Sequence, residues 1–391
     1  MTATKSLFFV PSDDPTAIAR RFADAAKEAP LVTDAVMGLP VVLRKHHLAA
    51  IFKDPVTFTT RMFAAGILKG GLAAMQGEEH VKMRRIYNLF FTPKAVERYE
   101  GAIVRPIVTD IVEGLKSDGP IDLIDPFCME MPKRVISALF GLPMDQLAEN
   151  DARVRDMFRS IIQIGNPEAA AAGQRAYEEA LGQITEVAER EMTAPGDTLL
   201  GEIVRTLQAE GMMSLEAVQQ IVLSLLLGGY ETTIWLMTNS LYALLSHPEA
   251  LAAVRADLTL LPAAIEESMR WAPSNVGTLR MVERPFEMDE LKLAPGTVFY
   301  CAQIAQNYDE ETYARPAVYD INRRVQPQIF GGGIHYCVGA PLARMEARVA
   351  LSLLLQRFPG LRLDASAPPT WMYGVRGSVA HGPDKLSVFL Q

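Results

Sequence analysis

The glycine-rich stretch around Cys337 carries the clearest chemical signal in this sequence. Three consecutive glycines, 331–333, precede the cysteine, and Gly339 follows it. Glycine inside a helix or strand costs roughly 0.5–1 kcal/mol relative to alanine. The run therefore predicts a tight loop whose backbone can approach a flat, bulky partner. Pro341 suits the first turn of a helix, so a helix is predicted to start just after the cysteine.

A cysteine between a glycine loop and a helix N-terminus can do several things. Nearby amides and the positive end of the helix favour a thiolate, and a thiolate bound to haem iron favours O–O cleavage. A buried free cysteine, or a nucleophile paired with His335, is the alternative, although that spacing alone carries little weight. Zinc is disfavoured because no second cysteine or histidine stands at ligand spacing. The loop by itself favours haem ligation and leaves the alternatives open.

The longer pattern resembles a known family. The residues Phe330-Gly-x-Gly-x-His-x-Cys-x-Gly339, followed by Ala-Pro-Leu-Ala-Arg344, resemble the haem-binding loop of the cytochrome P450 family in its soluble bacterial form. Further motifs of that family recur in order from about His80 to Arg348. The resemblance implies a mainly α fold with small β-sheets (α+β), arranged as a triangular helical domain over residues 1–391. It also implies haem b as the cofactor, Cys337 as the iron ligand, and Phe330, Gly331 and Gly339 beside the haem.

Four basic side chains match the family positions that hold the haem propionates. His80 and Arg84 lie four residues apart on a predicted helix, Glu78 to Leu89, and therefore share one face. Such a pair is usually two solvated charges. In the family, a His-x-x-x-Arg pair at this place binds a propionate. By the same match, Arg280 and His335 would provide further propionate contacts.

A second motif lies in a long apolar segment. Ser214 is predicted to cap a helix from Leu215 to Leu245, although Gly228 and Gly229 fall in its middle. Close helix packing is one reason for such glycines. Thr232 stands four residues after Gly228, so its hydroxyl can bond the glycine carbonyl and open the helix locally.

The surrounding residues, Gly228-Gly-Tyr-Glu-Thr-Thr233, resemble the oxygen-activating motif of the family. The resemblance implies that Thr232 hydrogen-bonds the bound oxygen and that Glu231 helps to relay protons.

A third motif has a predicted structural role. Glu267 and Arg270 are three apart on a predicted helix, Leu261 to Trp271, and in most proteins they would form an ordinary surface pair. In the family this pair is buried and joined by a downstream arginine, which matches Arg323, with Arg324 as a neighbouring possibility.

The predicted substrate pocket is apolar. The loop from Met62 to Gln76 carries many apolar side chains, which suggests that they line something. The break at Ile164-Gly-Asn-Pro167 resembles the family's mobile lid, and a hairpin predicted from Trp371 to Leu390 would reach the pocket from the side. The pocket candidates are Phe63, Leu68, Leu72, Ile161, Ile164, Leu227, Gly228 and Val276. They suggest a hydrophobic, uncharged substrate such as a terpenoid, steroid or aromatic.

Composition limits the cellular location and the kinds of partner that are expected for the protein. The chain has 391 residues, 49% of them hydrophobic, and a net charge of −8, which argues against a nucleic-acid partner. Its three cysteines are scattered and suit a reducing cytosol. The apolar run Leu7 to Val10 is too short for a membrane anchor. These features predict a cytoplasmic monomer without a membrane segment, and the absence of a linker predicts one domain.

The resemblance implies a haem-thiolate monooxygenase. Such an enzyme inserts one oxygen atom from O2 into a hydrophobic small molecule, by hydroxylation or epoxidation. Electrons would come from NAD(P)H through a ferredoxin reductase and a ferredoxin, since no flavin domain follows Gln391. Four basic residues, Lys82, Arg85, Arg344 and Arg348, are expected to form the docking surface for that donor. A peroxide-using haem-thiolate enzyme and a non-catalytic haem sensor or ligand carrier are the alternatives.

Overall fold

Two consecutive apolar helices form the centre of the molecule, and most other helices pack around them. The computed structural model describes residues 6–64, 66–116, 118–162 and 166–391. The α-helices of this part of the chain are α1 Ala17–Glu28, α2 Lys45–Lys53, α3 Gly77–Phe90, α4 Pro93–Tyr99, α5 Arg105–Gly114, α6 Glu130–Phe140, α7 Leu147–Ile162, α8 Pro167–Thr193, α9 Leu199–Ala209, α10 Leu215–Gly229, α11 Glu231–Leu245, α12 Pro248–Ala256, α13 Leu261–Trp271 and α14 Ala340–Arg357.

The strands are short and are grouped in small sheets. They are β1 Leu31–Thr33, β2 Pro40–Val42, β3 Phe58–Thr59, β4 Ile121–Asp122, β5 Thr278–Val282, β6 Phe286–Met288, β7 Leu291–Leu293, β8 Val298–Cys301, β9 Arg362–Leu363, β10 Trp371–Tyr373, β11 His381–Pro383 and β12 Ser387–Phe389. The largest sheet has the order β1-β2-β8-β5-β3, in which only β2 and β8 run parallel. A three-stranded sheet, β4-β12-β9, and the hairpins β6–β7 and β10–β11 complete the set.

The core follows from the apolar content of α10 and α11. Nearly every side chain of α11 is buried, including Trp235 and Met237. Ser214 caps α10 as predicted, because its hydroxyl accepts a hydrogen bond from the Ala217 amide at 3.0 Å. A second cluster around Phe8, Phe22 and Tyr300 packs between α1 and the large sheet.

The long helix predicted from Leu215 to Leu245 is wrong in one respect. The chain breaks at Tyr230 (φ −84°, ψ −76°), and two helices of 15 residues each result. Together, Leu215 to Leu245 are long and apolar enough to cross a membrane, but most of the segment is buried inside the protein, as is usual for a core helix. The helices predicted at Glu78 to Leu89 and Leu261 to Trp271 are confirmed within one or two residues. The hairpin predicted from Trp371 to Leu390 is confirmed only as far as Pro383, because β12 pairs with β4 and β9 instead.

Candidate functional site

Cys337 lies in a loop fixed on both sides by the fold. Its amide donates to the carbonyl of Phe330 at 2.9 Å, which closes the loop, and Gly339 directly precedes α14. Pro341 occupies the first turn of α14, as predicted. The Phe330 ring is buried under the Arg344 guanidinium, whose central carbon is 4.4 Å from the ring centroid. The thiol therefore faces inward from a backbone that cannot easily shift.

Two of the loop glycines contact protein rather than a cofactor face. A Cβ on Gly332 would lie 2.8 Å from the ring of Phe52 in α2, and one on Gly333 would lie 2.2 Å from the Phe52 carbonyl oxygen. Gly333 also has φ +66°, a conformation that side chains disfavour. The sequence interpretation, in which the glycines allow approach to a flat partner, is therefore incomplete. At these two positions glycine allows α2 to pack against the cysteine loop.

The electrostatics of Cys337 combine opposing influences. Burial raises the pKa of the thiol, while the amides of Gly339 and Ala340 and the charges of Arg84 and Arg344 lower it. The amides thus act in the direction expected from the sequence, but burial outweighs them in the metal-free thiol. Coordination to a metal ion deprotonates a thiol outright, so this balance is compatible with an iron ligand.

His80, Arg84, Arg280 and His335 converge beside the cysteine loop. The imidazole rings of His80 and His335 are 4.6 Å apart between centroids, and Arg84 donates to the Tyr336 carbonyl at 2.6 Å. Burial lowers the pKa of His335 to about 3, followed by the repulsion of Arg280, His80 and Arg84. Among the described residues, no carboxylate forms an ion pair with any of the four. A buried basic cluster of this kind calls for an anionic ligand.

This cluster fits the two propionates of haem b. Arg280 is 5% exposed, and its recorded hydrogen bonds go only to neutral oxygens of its own strand, the Leu279 carbonyl at 2.7 Å and the Thr278 hydroxyl at 3.4 Å. His80 is buried, and neither of its ring nitrogens has a hydrogen-bond partner in the part of the chain that the structure describes. Buried polar atoms without partners are rare in folded proteins. A carboxylate bound at this place would satisfy them.

Two neutral residues beside this cluster were missed from the sequence. The Thr60 hydroxyl lies 3.2 Å from Nε2 of His335, and Gln76 donates its amide to the same hydroxyl. Oε1 of Gln76 is buried without a partner. Gln76 stands just before α3, where the family usually has Asp-Pro-Pro-Glu, and this departure is the signal that could have drawn attention to it.

The break between α10 and α11 forms a groove with an exposed hydroxyl. The Thr232 hydroxyl donates to the Gly228 carbonyl at 2.7 Å, as the four-residue spacing predicts. Thr232 and Gly228 are exposed, although most of the residues from Leu225 to Leu236 around them are buried, and nothing lies within 4 Å of the place where a Cβ on Gly228 would be. The two residues therefore face open space.

Glu231 points into a separate, narrow cavity. It is 5% exposed, and its Oε2 lies 3.4 Å from the Val379 amide in the loop that joins β10 and β11. Burial raises its pKa to about 8; the Val379 amide opposes this rise, and Asp151 adds to it. The cavity is also lined by Asp151, Arg155 and Tyr230. The Glu231 carboxyl is therefore protonated near neutral pH and shares a small cavity with polar side chains.

Tyr230 and Asp151 connect this cavity to two cations. The Tyr230 hydroxyl donates to Oδ1 of Asp151, whose Oδ2 is 2.5 Å from Arg155 and 3.5 Å from Lys133. Asp151 lies on α7, within the helical stretch where the sequence carried the least motif information. No sequence motif predicted a role for Asp151, and Tyr230 stands at a variable position of the Gly228–Thr233 motif.

The predicted pocket residues have unequal surroundings. Phe63, Leu68 and Ile161 are half-buried, whereas Leu72 and Leu227 are buried in the main core. Val276 is fully buried in the second cluster, with Tyr300 and Leu43. Ile164 lies outside the described residues. The loop that carries Leu68 and Leu72 packs closely against α10. A Cβ atom on Gly70 would contact Gln220, and one on Gly71 would contact Ser224.

The charged triad is buried as a unit. Glu267 and Arg270 are fully buried and form a two-bond pair at 2.7 and 2.8 Å. Nε of Arg323 is 3.5 Å from the same carboxylate, while Arg324 is exposed. Arg270 also donates to the carbonyls of Pro316, Asn307 and Val318. Removing one partner of such a buried pair typically costs about 3–5 kcal/mol.

The expected basic docking surface is largely neutralised. Arg85 pairs with Glu210, Arg344 with Glu266, and Arg348 with Glu100. The local positive charge is therefore smaller than the sequence predicts, because each of these three arginines has an acidic partner from a distant segment.

The comparisons with known proteins identify the family of the chain. The family model described as Cytochrome P450 matches residues 39–385. A curated "C-19 steroid 1alpha-hydroxylase" of Sorangium cellulosum (strain So ce56) is 58% identical over 387 residues, which cover 98% of each chain. The "6-deoxyerythronolide B hydroxylase" of Saccharopolyspora erythraea is 32% identical and covers 80% of this chain and 76% of its own.

Solved structures share the whole fold. The "Sorangium cellulosum So Ce56 cytochrome P450 260B1" superposes with a TM-score of 0.95 at 47% identity and covers 100% of both chains.

Proposed function

The chain belongs to the cytochrome P450 family and is a haem-dependent monooxygenase, and we propose that it hydroxylates a steroid-like molecule with electrons from a ferredoxin. When bound, the haem supplies the oxygen-activating iron and the oxidising equivalents of the reaction. The residues of this chain hold that group, exclude water from it, and deliver protons and substrate to it.

The observation that carries the proposal is the exposed hydroxyl of Thr232 in the break between α10 and α11. Its hydrogen bond to the Gly228 carbonyl fixes Oγ1 in the groove. Because the single proton of the hydroxyl goes to that carbonyl, Oγ1 can accept a hydrogen bond from a protonated group or a water molecule in the groove. Cys337 would hold the iron, and His80, Arg84, Arg280 and His335 would hold the propionates.

Glu231 would supply the protons. A carboxyl with a pKa of about 8 carries its proton at neutral pH, and proton transfer is most efficient when the donor pKa is close to the working pH. A proton would reach Glu231 through the cavity that it shares with Asp151 and Tyr230. Thr232 is its neighbour in sequence, but Thr232 is exposed whereas Glu231 is buried in that cavity.

The substrate class rests on two supports. The pocket candidates with half-buried side chains, Phe63, Leu68 and Ile161, are all apolar, which favours an uncharged, hydrophobic molecule. The full-length relative at 58% identity is named a C-19 steroid 1alpha-hydroxylase. We therefore propose a C-19 steroid or a polycyclic molecule of similar size as the substrate.

The proposal is tested by reconstitution. The haem-loaded protein is incubated with NADPH, a surrogate ferredoxin reductase and ferredoxin, and a C-19 steroid, and the product is identified by mass spectrometry and NMR. A product heavier by one oxygen atom that requires the whole electron-transfer chain supports the proposal. The same product from hydrogen peroxide alone, at an equal or higher rate, would indicate a peroxide-using enzyme.

A second comparison separates the enzyme from a sensor. Steroid binding is followed through the shift of the haem absorption band, independently of turnover. Tight binding without any oxygenated product, across a panel of steroids and terpenoids and several ferredoxins, would indicate a ligand-binding protein and would overturn the proposed activity. The cytoplasmic location, the monomeric state and the single-domain organisation stay predictions.

A further inference from the structure

We propose that His46, His47 and Asp289 form a surface binding site for a divalent transition-metal ion, with Zn2+ as the probe of choice. His46 and His47 lie in the first turn of α2, and Asp289 lies in the turn of the β6–β7 hairpin. The site is distinct from the haem site and joins two elements that are far apart in sequence.

The distances suit a tetrahedral ion. Nε2 of His46 and Nε2 of His47 lie 3.3 and 3.5 Å from the same carboxylate oxygen, Oδ2 of Asp289. Ligands about 2.0–2.1 Å from a tetrahedral zinc ion are about 3.4 Å from one another. All three ligand atoms lie within 4.8 Å of each other. A small rotation of the His46 side chain, which is 52% exposed, would complete the geometry.

His47 is the observation that points to a ligand. Its side chain is 0% exposed, and neither ring nitrogen has a hydrogen-bond partner among the described residues. A metal ion held between Nε2 and Oδ2 of Asp289, which are 3.5 Å apart, would give this buried nitrogen a bonding partner.

The backbone of Asp289 gives separate support. Its φ is +50°, and Glu290, the other residue of this two-residue turn, does not share the positive φ. Hairpin turns with a positive φ at the first central position favour glycine there. Aspartate at this position adopts a less favourable conformation, and it places its carboxylate against the two histidines.

The nearby charges limit the expected affinity. Arg44 and Lys45 lie at the same end of α2, although Arg44 pairs with Glu290 at 3.2 Å and Lys45 donates to Thr312. The positive end of the helix also opposes a cation. With three protein ligands and a position left for water, we expect micromolar rather than nanomolar binding.

The ion would connect α2 and the β6–β7 hairpin, which both adjoin the haem site. Phe52, further along α2, packs under Gly332 and Gly333, and its ring lies 5.2 Å from the guanidinium carbon of Arg280. The β6–β7 hairpin directly follows β5, which carries Arg280. A metal bridge between α2 and the hairpin should therefore stiffen this support and slow the release of haem.

The test uses the haem-loaded, tag-free protein after treatment with a chelator. Zn2+ is titrated calorimetrically, and the thermal midpoint and the rate of haem transfer to an acceptor protein are measured with and without Zn2+. We expect one saturable micromolar site, a higher midpoint and slower haem transfer. His46→Ala and Asp289→Asn should each weaken binding by about tenfold or more and remove both effects.

Glu287→Gln is the matched control, because it changes a carboxylate of the same hairpin that pairs with Lys292 and not with a residue of α2. Its affinity should stay within about twofold of the wild-type value, since an exposed ion pair contributes little. Binding only in the millimolar range, or undiminished binding in both ligand variants, would overturn the proposal, and in the second case the zinc would lie elsewhere.

Discussion

Glu346 provides a quantitative test of the packing between α14 and α11. Its side chain is 4% exposed, and burial raises its pKa to about 8, against a smaller opposing contribution from a hydrogen bond with Thr233. The carboxyl is therefore neutral in the folded protein at neutral pH. In the unfolded chain a glutamate titrates at about 4.3. This difference makes folding stability depend on pH.

The sign follows from the raised pKa. The folded state holds the proton more tightly than the unfolded chain, so the stabilising effect is complete below about pH 4 and is lost as the pH rises through 8. Between these limits each pH unit costs on the order of 1.4 kcal/mol. From pH 5 to pH 7.5 the loss from this one group is on the order of 3 kcal/mol.

Glu346→Gln should remove this dependence, because the amide has nearly the same shape and never ionises. The free energy of unfolding of the wild type and the variant is compared by urea denaturation of the haem-loaded proteins, at several pH values from 5 to 8. The free energy of unfolding of the variant minus that of the wild type should rise by on the order of 3 kcal/mol from pH 5 to pH 7.5. Because the other titrating groups are the same in both proteins, their contributions cancel in this difference.

Glu97→Gln is the control for the chemical change itself, because Glu97 is exposed on α4, and it should alter the free energy of unfolding by no more than about 0.5 kcal/mol. A difference between Glu346→Gln and the wild type that does not vary with pH would show that the Glu346 carboxyl is already ionised in the folded protein, and it would refute the argument from burial.

Three further predictions concern the haem site and its electron donor. Cys337→His should abolish the strongly red-shifted absorption of the reduced carbon monoxide complex, and survival of that band would show that another residue binds the iron. Thr232→Ala should keep NADPH consumption while product falls and hydrogen peroxide rises, since no hydroxyl oxygen remains in the groove to accept a hydrogen bond; unchanged coupling would place proton delivery elsewhere. Reversing Arg85 and Arg344 to glutamate should slow reduction by an acidic ferredoxin and flatten its salt dependence. Steroid binding should not change in that variant. Neutralising their partners with Glu210→Gln and Glu266→Gln should have the opposite effect, and if neither variant alters the rate, the donor docks on another surface.

Local spacing predicted much of the site because several motifs are short-range. The four-residue spacing of Gly228 and Thr232 fixes a hydrogen bond within one helical turn, and Pro341 marks a helix start whatever surrounds it. His80 and Arg84 share a helix face for the same reason. The family resemblance added the partners from distant segments, Arg280 and Arg323, which no local pattern could have brought together.

The differences between the predicted and the observed surroundings of these residues have a common physical cause. The sequence shows which residues are basic but not which acidic residues pair with them. It therefore predicts a free positive surface at Arg85, Arg344 and Arg348, although each of the three forms an ion pair. The same limit applies to Gly332 and Gly333. Both contact Phe52, which is about 280 residues earlier in the chain, so no local pattern could predict this contact.

The break at Tyr230 links the fold to the proposed chemistry. A continuous helix from Leu215 to Leu245 would be favoured by its apolar content, yet the chain ends one helix and begins another at Tyr230. The break leaves two neighbouring side chains in different surroundings. Thr232 is exposed and donates to the Gly228 carbonyl, whereas Glu231 is buried in the cavity that it shares with Asp151 and Tyr230. An exposed hydroxyl and a buried carboxyl of raised pKa therefore lie one residue apart, which is the arrangement that the proposed delivery of protons needs.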